Sequence, residues 1–193
     1  MRAFTALTDR VLSLPFDEID TDIIFPARFL LVTEKRGLGR YAFADRRGTA
    51  GFPVGLDDTQ TPAILVTGAN FGCGSSREQA PWALADLGIR AVIAPSLGEI
   101  FRTNCTRNGI VPVLLPADTV SALHGAAELT VDLVLQTVRM SDGRGIGFDI
   151  AAAEREALLN GWDETARIMA LSSAAITRFE AGQRERQPWL WSA

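Results

Sequence analysis

Residues 63–79 read Ala63-Ile-Leu-Val-Thr67-Gly68-Ala-Asn-Phe-Gly72-Cys73-Gly74-Ser75-Ser76-Arg77-Glu78-Gln79. The apolar run 63–67 has the length and composition of a buried strand, and a glycine-rich turn separates it from a helical pattern over residues 81–87. Working outward, residues 89–94 form a second apolar strand, 97–108 a helix stopped by Gly109, and 110–115 a third strand. This β-α-β-α-β order with short connections predicts a parallel sheet segment. Further on, Leu129, Val131, Leu133 and Leu135 alternate with polar residues, and Asp142-Gly143 precedes residues 146–150, which predicts an antiparallel hairpin. The expected fold class is therefore α/β, with a mixed parallel/antiparallel sheet flanked by helices.

The ends are less regular. A short strand is expected over 4–7 or 11–14, then an acidic turn over 17–22, and a short helix opened by Pro26. Gly, Arg and Asp crowd residues 33–60 without periodicity, so the region near 26–60 reads as a long mobile connection. After Asp149 the pattern turns helical, with segments 151–160, 163–171 and 173–181 forming a C-terminal extension over 151–193 of a single domain.

Composition narrows the function classes. The 193 residues are 47% hydrophobic and 22% charged, as in an ordinary soluble domain, and the net charge of −4 argues against a broad phosphate-binding surface for nucleic acid. No apolar run approaches the ~20 residues of a membrane helix, and Asp9 and Arg10 interrupt any signal-like start, so a cytoplasmic location is expected. Cys73 and Cys105 are too few for a disulfide framework, and with His124 the sole histidine no metal site is expected on this chain.

The chemistry concentrates in residues 68–79. Three glycines in seven residues let the backbone turn sharply and approach a ligand closely. Ser76 with Gln79, or Ser75 with Glu78, has capping-box spacing, so one serine caps the helix and leaves the other free. Free N–H groups at a helix start favour an anion, and Arg77 adds a full charge. The segment lacks the Gly-Lys-Ser/Thr of a P-loop, the third glycine of a dinucleotide fingerprint, and the Gly-x-Ser-x-Gly of a nucleophile elbow. Among ligands a carboxylate fits best, because a guanidinium fork matches it with two parallel hydrogen bonds; the alternative is a structural glycine loop with an ordinary capping serine.

The run from Gly72 through Leu84 closely resembles the signature of the aconitase-superfamily swivelling domain, in the form found in small subunits of 3-isopropylmalate dehydratases. The likeness extends to Asp20-Thr21-Asp22-Ile-Ile-Phe-Pro26-Ala-Arg28-Phe-Leu30, to Ile100-Phe-Arg-Thr-Asn104, to residues 108–113 and to Asn160-Gly161-Trp162-Asp163. It implies a swivelling β/β/α domain and a hydro-lyase subunit that interconverts 2- and 3-isopropylmalate in leucine biosynthesis by dehydration and rehydration. It also implies a large-subunit partner carrying a [4Fe-4S] cluster, with no cofactor on this chain. Related small subunits handle methylated malates or homoaconitate, and a non-catalytic carboxylate-binding module is a further alternative.

Carried over position by position, the resemblance makes Ser75 the catalytic base and Ser76 and Arg77 substrate-carboxylate contacts, with Gly72 and Gly74 shaping the loop. Gln79 stands where many members have His. Substrate discrimination is expected from the segment near 26–40, where Arg28, Lys35 and Arg36 are candidate contacts or plain solvated charges, and Phe29, Leu30 and Leu31 lie within reach of an isopropyl group. Cys73 reads as a packed thiol or a redox-sensitive one, and Asn104 as a donor to the glycine-serine loop or a satisfied helix residue. Asp20 and Asp22 read as turn residues bonding nearby backbone. His124 reads as an exposed helix or loop residue, and Trp189 and Trp191 as an apolar tail docked on a partner or on this chain's own core.

Overall fold

A computed structural model describes residues 1–32, 34–49, 52 and 61–191. Seven strands form one sheet: β1 (Ala6–Leu14), β2 (Ile64–Thr67), β3 (Ala91–Ala94), β4 (Val111–Leu114), β5 (Glu128–Asp132), β6 (Thr137–Met140) and β7 (Gly145–Gly147). The helices are α1 (Thr21–Ile24), α2 (Gln79–Asp86), α3 (Glu99–Arg107), α4 (Ala117–Leu123), α5 (Ala152–Asn160) and α6 (Glu164–Arg186). The strand order is β4-β3-β2-β1-β5-β6-β7, parallel from β4 to β1 and antiparallel from β1 to β7. The expected mixed sheet is present.

β1 explains how the two halves meet. Residues 6–10 pair with β5 and residues 11–14 with β2, so one nine-residue strand replaces the short strand expected at either end of that span. β2 and β3 are fully buried, and their alternate side chains feed two cores. Leu65 and Val92 face a core shared with α2 and α3 through Leu84, Leu87, Phe101 and Cys105. Ile64, Val66 and Ile93 face the other, closed by α4 and α5 through Val120, Leu123 and Leu158. Burying both faces is what a continuous apolar strand requires.

Four expectations are corrected. The alternation over 129–135 is not one strand: β5 stops at Asp132, whose Oδ1 accepts the Leu135 N–H at 2.8 Å, and Gln136 is left-handed at φ 52°. That side-chain turn makes a hairpin from β5 to β6, and Asp142-Gly143 joins β6 to β7. The region near 26–60 is no loose connection where it is described, because Leu38, Ala42, Phe43 and Phe52 are buried in the first core. Asp86 Oδ2 accepts the Gly39 N–H at 2.8 Å, and the Arg47 side chain donates to the carbonyls of Ala42 and Gly39. The mobility expected at 33, 50, 51 and 53–60 lies outside the described residues. Two C-terminal helices merge into the 23-residue α6, since Ser172 and Ser173 lack the helix-stopping geometry of Gly or Pro. Finally, His124 is half-buried at the end of α4, with Nδ1 2.9 Å from the Ser13 hydroxyl, and burial lowers its pKa. Among the described residues no helix is long and apolar enough to cross a membrane.

Candidate active site

Three neighbouring parallel strands, β1, β2 and β3, deliver their C-terminal loops to the same edge of the sheet, where open α/β sheets place their ligands. The central loop, residues 68–78, is stitched to both neighbours. On the β1 side, the Gly72 N–H donates to the Ile19 carbonyl at 2.7 Å, the Thr21 N–H donates to the Cys73 carbonyl, and Asp17 Oδ1 accepts the Ala69 N–H. On the β3 side, the Phe71 N–H donates to the Ser96 carbonyl and the Gly98 N–H to the Phe71 carbonyl. A loop pinned on both sides keeps its shape without a ligand.

Glycine is obligatory at the centre of this turn. Gly72 and Gly74 have φ of +74° and +89°, and a Cβ on Gly72 would lie 2.2 Å from the ring of Phe101. That ring packs edge-on against Phe71 at 5.4 Å, so it has little room to retreat. The chain then opens at Gly74, Ser75 and Ser76, all exposed, above a recess of about 270 Å³. Its walls combine the loop from Gly72 to Arg77 with Thr21 and the first turns of α3, including Glu99, Ile100, Phe101 and Asn104.

Neither serine caps the following helix. The N-cap of α2 is Glu78, in helical conformation and without a side-chain cap bond. The capping box read from Ser76 and Gln79 is absent because the chain is already helical one residue before Gln79. Both hydroxyls are left without a hydrogen bond among the described residues, while the Ser75 main chain is fixed by Thr21 Oγ1, which donates to its carbonyl at 2.9 Å.

Arg77 is largely buried, and one Nη donates to Asp22 Oδ1. Its other N–H groups have no partner among the described residues, which leaves most of the fork available. The two aspartates thus part company. Asp20 caps α1 by accepting the Ile23 N–H at 2.7 Å, as a turn residue should, whereas Asp22 holds the arginine.

Arg28 is not brought to the recess. It makes a bidentate pair with Asp45 at 2.5 and 2.7 Å and lies over the Phe29 ring, and its hydrogen bonds hold the Asp45 carboxyl below the usual range. Lys35 sits over the Trp82 ring, Arg36 is exposed, Phe29 and Leu30 pack on the first core, and Leu31 stands 93% exposed. The apolar side chains that do border the recess are Ile100, at 55% exposure, and the buried Phe101.

Burial pushes the Cys73 thiol up, and the carboxylates of Glu18 and Asp20 push it further, so the thiol is held protonated. Cys105 is wholly buried and raised as well. The two are far too few for a cubane cluster, and among the described residues no three His, Cys, Asp or Glu converge as a metal site. The donor set of this chain does not fit an iron-sulfur group. Another hollow, of about 200 Å³, lies at the far end of α3 against α5 and Trp162 and is mostly apolar.

Residues 1–118 match the aconitase C-terminal domain family. The chain is 43% identical over 98% of its length to the 3-isopropylmalate dehydratase small subunit of Rhodospirillum centenum, covering 98% of that protein. It is 44% identical over 95% of its length to the small subunit of the same name from Anaeromyxobacter sp. strain K, covering all of it. This chain belongs to the 3-isopropylmalate dehydratase small-subunit family. The solved 3-isopropylmalate dehydratase structure from Methanocaldococcus jannaschii superposes with a TM-score of 0.72 at 27% identity, over 90% of this chain and 99% of that one.

Within this small-subunit family fold, the glycine-serine loop stood out in the sequence by its composition, but Thr21, Glu99, Ile100 and Phe101 did not. The signal that finds them is topological: loops that follow adjacent parallel strands share one sheet edge, whatever their distance in sequence.

Proposed function

We propose that this chain is the small subunit of a 3-isopropylmalate dehydratase, a hydro-lyase that interconverts 2- and 3-isopropylmalate in leucine biosynthesis. It works with a large subunit that carries the [4Fe-4S] cluster, and a cytoplasmic site of action goes with that reading. The observation that carries the proposal is a recess in which two serine hydroxyls, without a hydrogen bond among the described residues, stand beside a mostly free guanidinium. Two cysteines are too few to hold a cubane cluster on this chain.

In this reading Arg77 takes a substrate carboxylate with its unpaired N–H groups, and the Ser76 hydroxyl adds a hydrogen bond to it. The exposed backbone at Gly74 lets the substrate approach closely, while the buried Gly72 shapes the turn beneath it. Arg28, held by Asp45, takes no part in the recess. Ser75 removes the proton from the carbon next to a carboxylate. A serine hydroxyl ionises roughly six pKa units above neutrality, a cost of about 8 kcal/mol, and a helix terminus supplies at most about 2. Here that terminus is further weakened for Ser75, because it begins at Glu78 with a carboxylate beside it. Proton transfer is therefore concerted with chemistry at the neighbouring carbon, in a cavity from which the large subunit excludes water.

Reconstitution tests the proposal. The purified chain should be inactive alone and gain isopropylmalate isomerase activity when mixed with a cluster-loaded large subunit. No gain with a large subunit that is active with its own partner would favour a non-catalytic carboxylate-binding module.

A further inference from the structure

α3 contributes more to the recess than a wall. Ile100 and Phe101 lie four and three residues before Asn104, so all three share a helix face, and all three border the recess. Asn104 is only 5% exposed. Its backbone carbonyl is engaged twice, by the Asn108 N–H at 3.2 Å and by the Asn108 side chain at 2.8 Å. Its carboxamide, in contrast, has no hydrogen-bond partner among the described residues, neither in the glycine-serine loop nor on its own helix.

Its amide nitrogen and oxygen are not among the fully enclosed polar atoms that lack a partner, so they open onto the recess that Asn104 lines, with their hydrogen bonds available to a ligand there. The recess brings such a partner to them: an oxygen-rich ligand arriving beside Ser75 and Arg77. We infer that Asn104 is a substrate-binding residue, whose side-chain NH₂ donates to an oxygen of the dicarboxylate bound in this recess. The inference rests on the function proposed above and adds to it a neutral contact on α3, across from the charged one at Arg77. The division is physically sensible. Arg77 supplies charge, while a neutral amide reads position without adding a second buried cation, and Glu99 at the rim disfavours ligands that shift toward it.

The test uses the reconstituted pair with 3-isopropylmalate as substrate. Asn104→Ala should raise KM about tenfold, the equivalent of one lost hydrogen bond. Asn104→Asp keeps the shape but sets a carboxylate against a carboxylate, and KM should rise about a hundredfold. In both, kcat should stay within about threefold of wild type. Lowering the pH from about 7.5 to about 5.5 should shrink the Asn104→Asp deficit, because the protonated acid donates again. KM values within about twofold of wild type in both variants overturn the inference and leave the proposed function standing. A wild-type pair without isomerase activity defeats the proposed function, and this inference falls with it.

Discussion

The carboxylate of Asp22, on the four-residue helix α1, grips the guanidinium of Arg77 across 55 positions of sequence. The arginine side chain keeps 15% of its exposure and the aspartate 50%, so the pair straddles the rim of the recess. One acceptor on one Nη fixes the plane of the fork while leaving the remaining donors to a ligand. A half-exposed pair of this kind contributes at most about 1 kcal/mol, because solvent screens it. Asp22→Asn, which retains an acceptor but not the charge, should raise KM about fivefold in the reconstituted enzyme and barely change kcat. Arg77→Lys should be worse on KM, since a single ammonium cannot hold Asp22 and a substrate carboxylate in one plane. A fall in KM for Asp22→Asn would mean that the carboxylate competes with substrate instead of aiming the arginine.

Ser75 is anchored through its main chain and its hydroxyl is unbonded, so removing that hydroxyl disturbs no bond among the described residues. Ser75→Ala should assemble normally with the large subunit, show a KM near wild type, and lose at least about a hundredfold in kcat. Near-normal turnover in that complex would remove Ser75 from the role of base.

The fold was legible where a single physical rule dominates. The β2-α2-β3-α3-β4 core followed from apolar runs of strand length separated by helical patterns. Elsewhere a side chain decided what periodicity could not: Asp132 ends β5 by bonding the Leu135 N–H, inside a run whose alternation looked unbroken. The segment around Leu38 to Phe43 has no period because it is held by turns and by Asp86 and Arg47, not by a ladder. At the site, glycine spacing exposed the loop, but whether either serine caps depended on where α2 begins, and it begins after both. The pairing of Arg28 with Asp45 and of Arg77 with Asp22 depended on folds of the chain that no local pattern encodes.

His124 offers a probe of the second core, being the sole histidine of the sequence. Burial lowers its pKa below the ordinary 6.5, so the folded state resists protonation while the unfolded chain accepts it. A depressed folded pKa means stability that is complete above about pH 6.5 and declines as the pH falls toward the folded value. The single imidazole resonance should titrate with a midpoint below 6.5, and His124→Gln should flatten the thermal-stability profile in the window just below that pH. A midpoint at or above 6.5 would show that the hydrogen bond to Ser13 outweighs burial.

α6 runs 23 residues, with no residue buried. Helices in water draw most of their stability from packing an apolar face, yet Ile168, Leu171 and Phe179 are all more than half exposed along this one. Ile168, Ala175 and Phe179 recur at spacings of seven and four, which aligns them on one stripe. Trp189 and Leu190, also more than half exposed, carry the apolar surface on beyond the helix, and Trp191 lies under the Arg184 guanidinium at 4.4 Å. A stripe of this kind ending in tryptophans has the composition of a docking surface, and in the proposed enzyme the large subunit is the partner at hand. The variant Phe179→Asp should leave the thermal midpoint of the isolated chain unchanged, because this side chain belongs to no core. Titrated against a fixed amount of large subunit, it should need about tenfold more protein than wild type to reach half-maximal activity, as expected for the loss of an aromatic anchor. Superimposable titration curves would place this face outside the interface between the subunits.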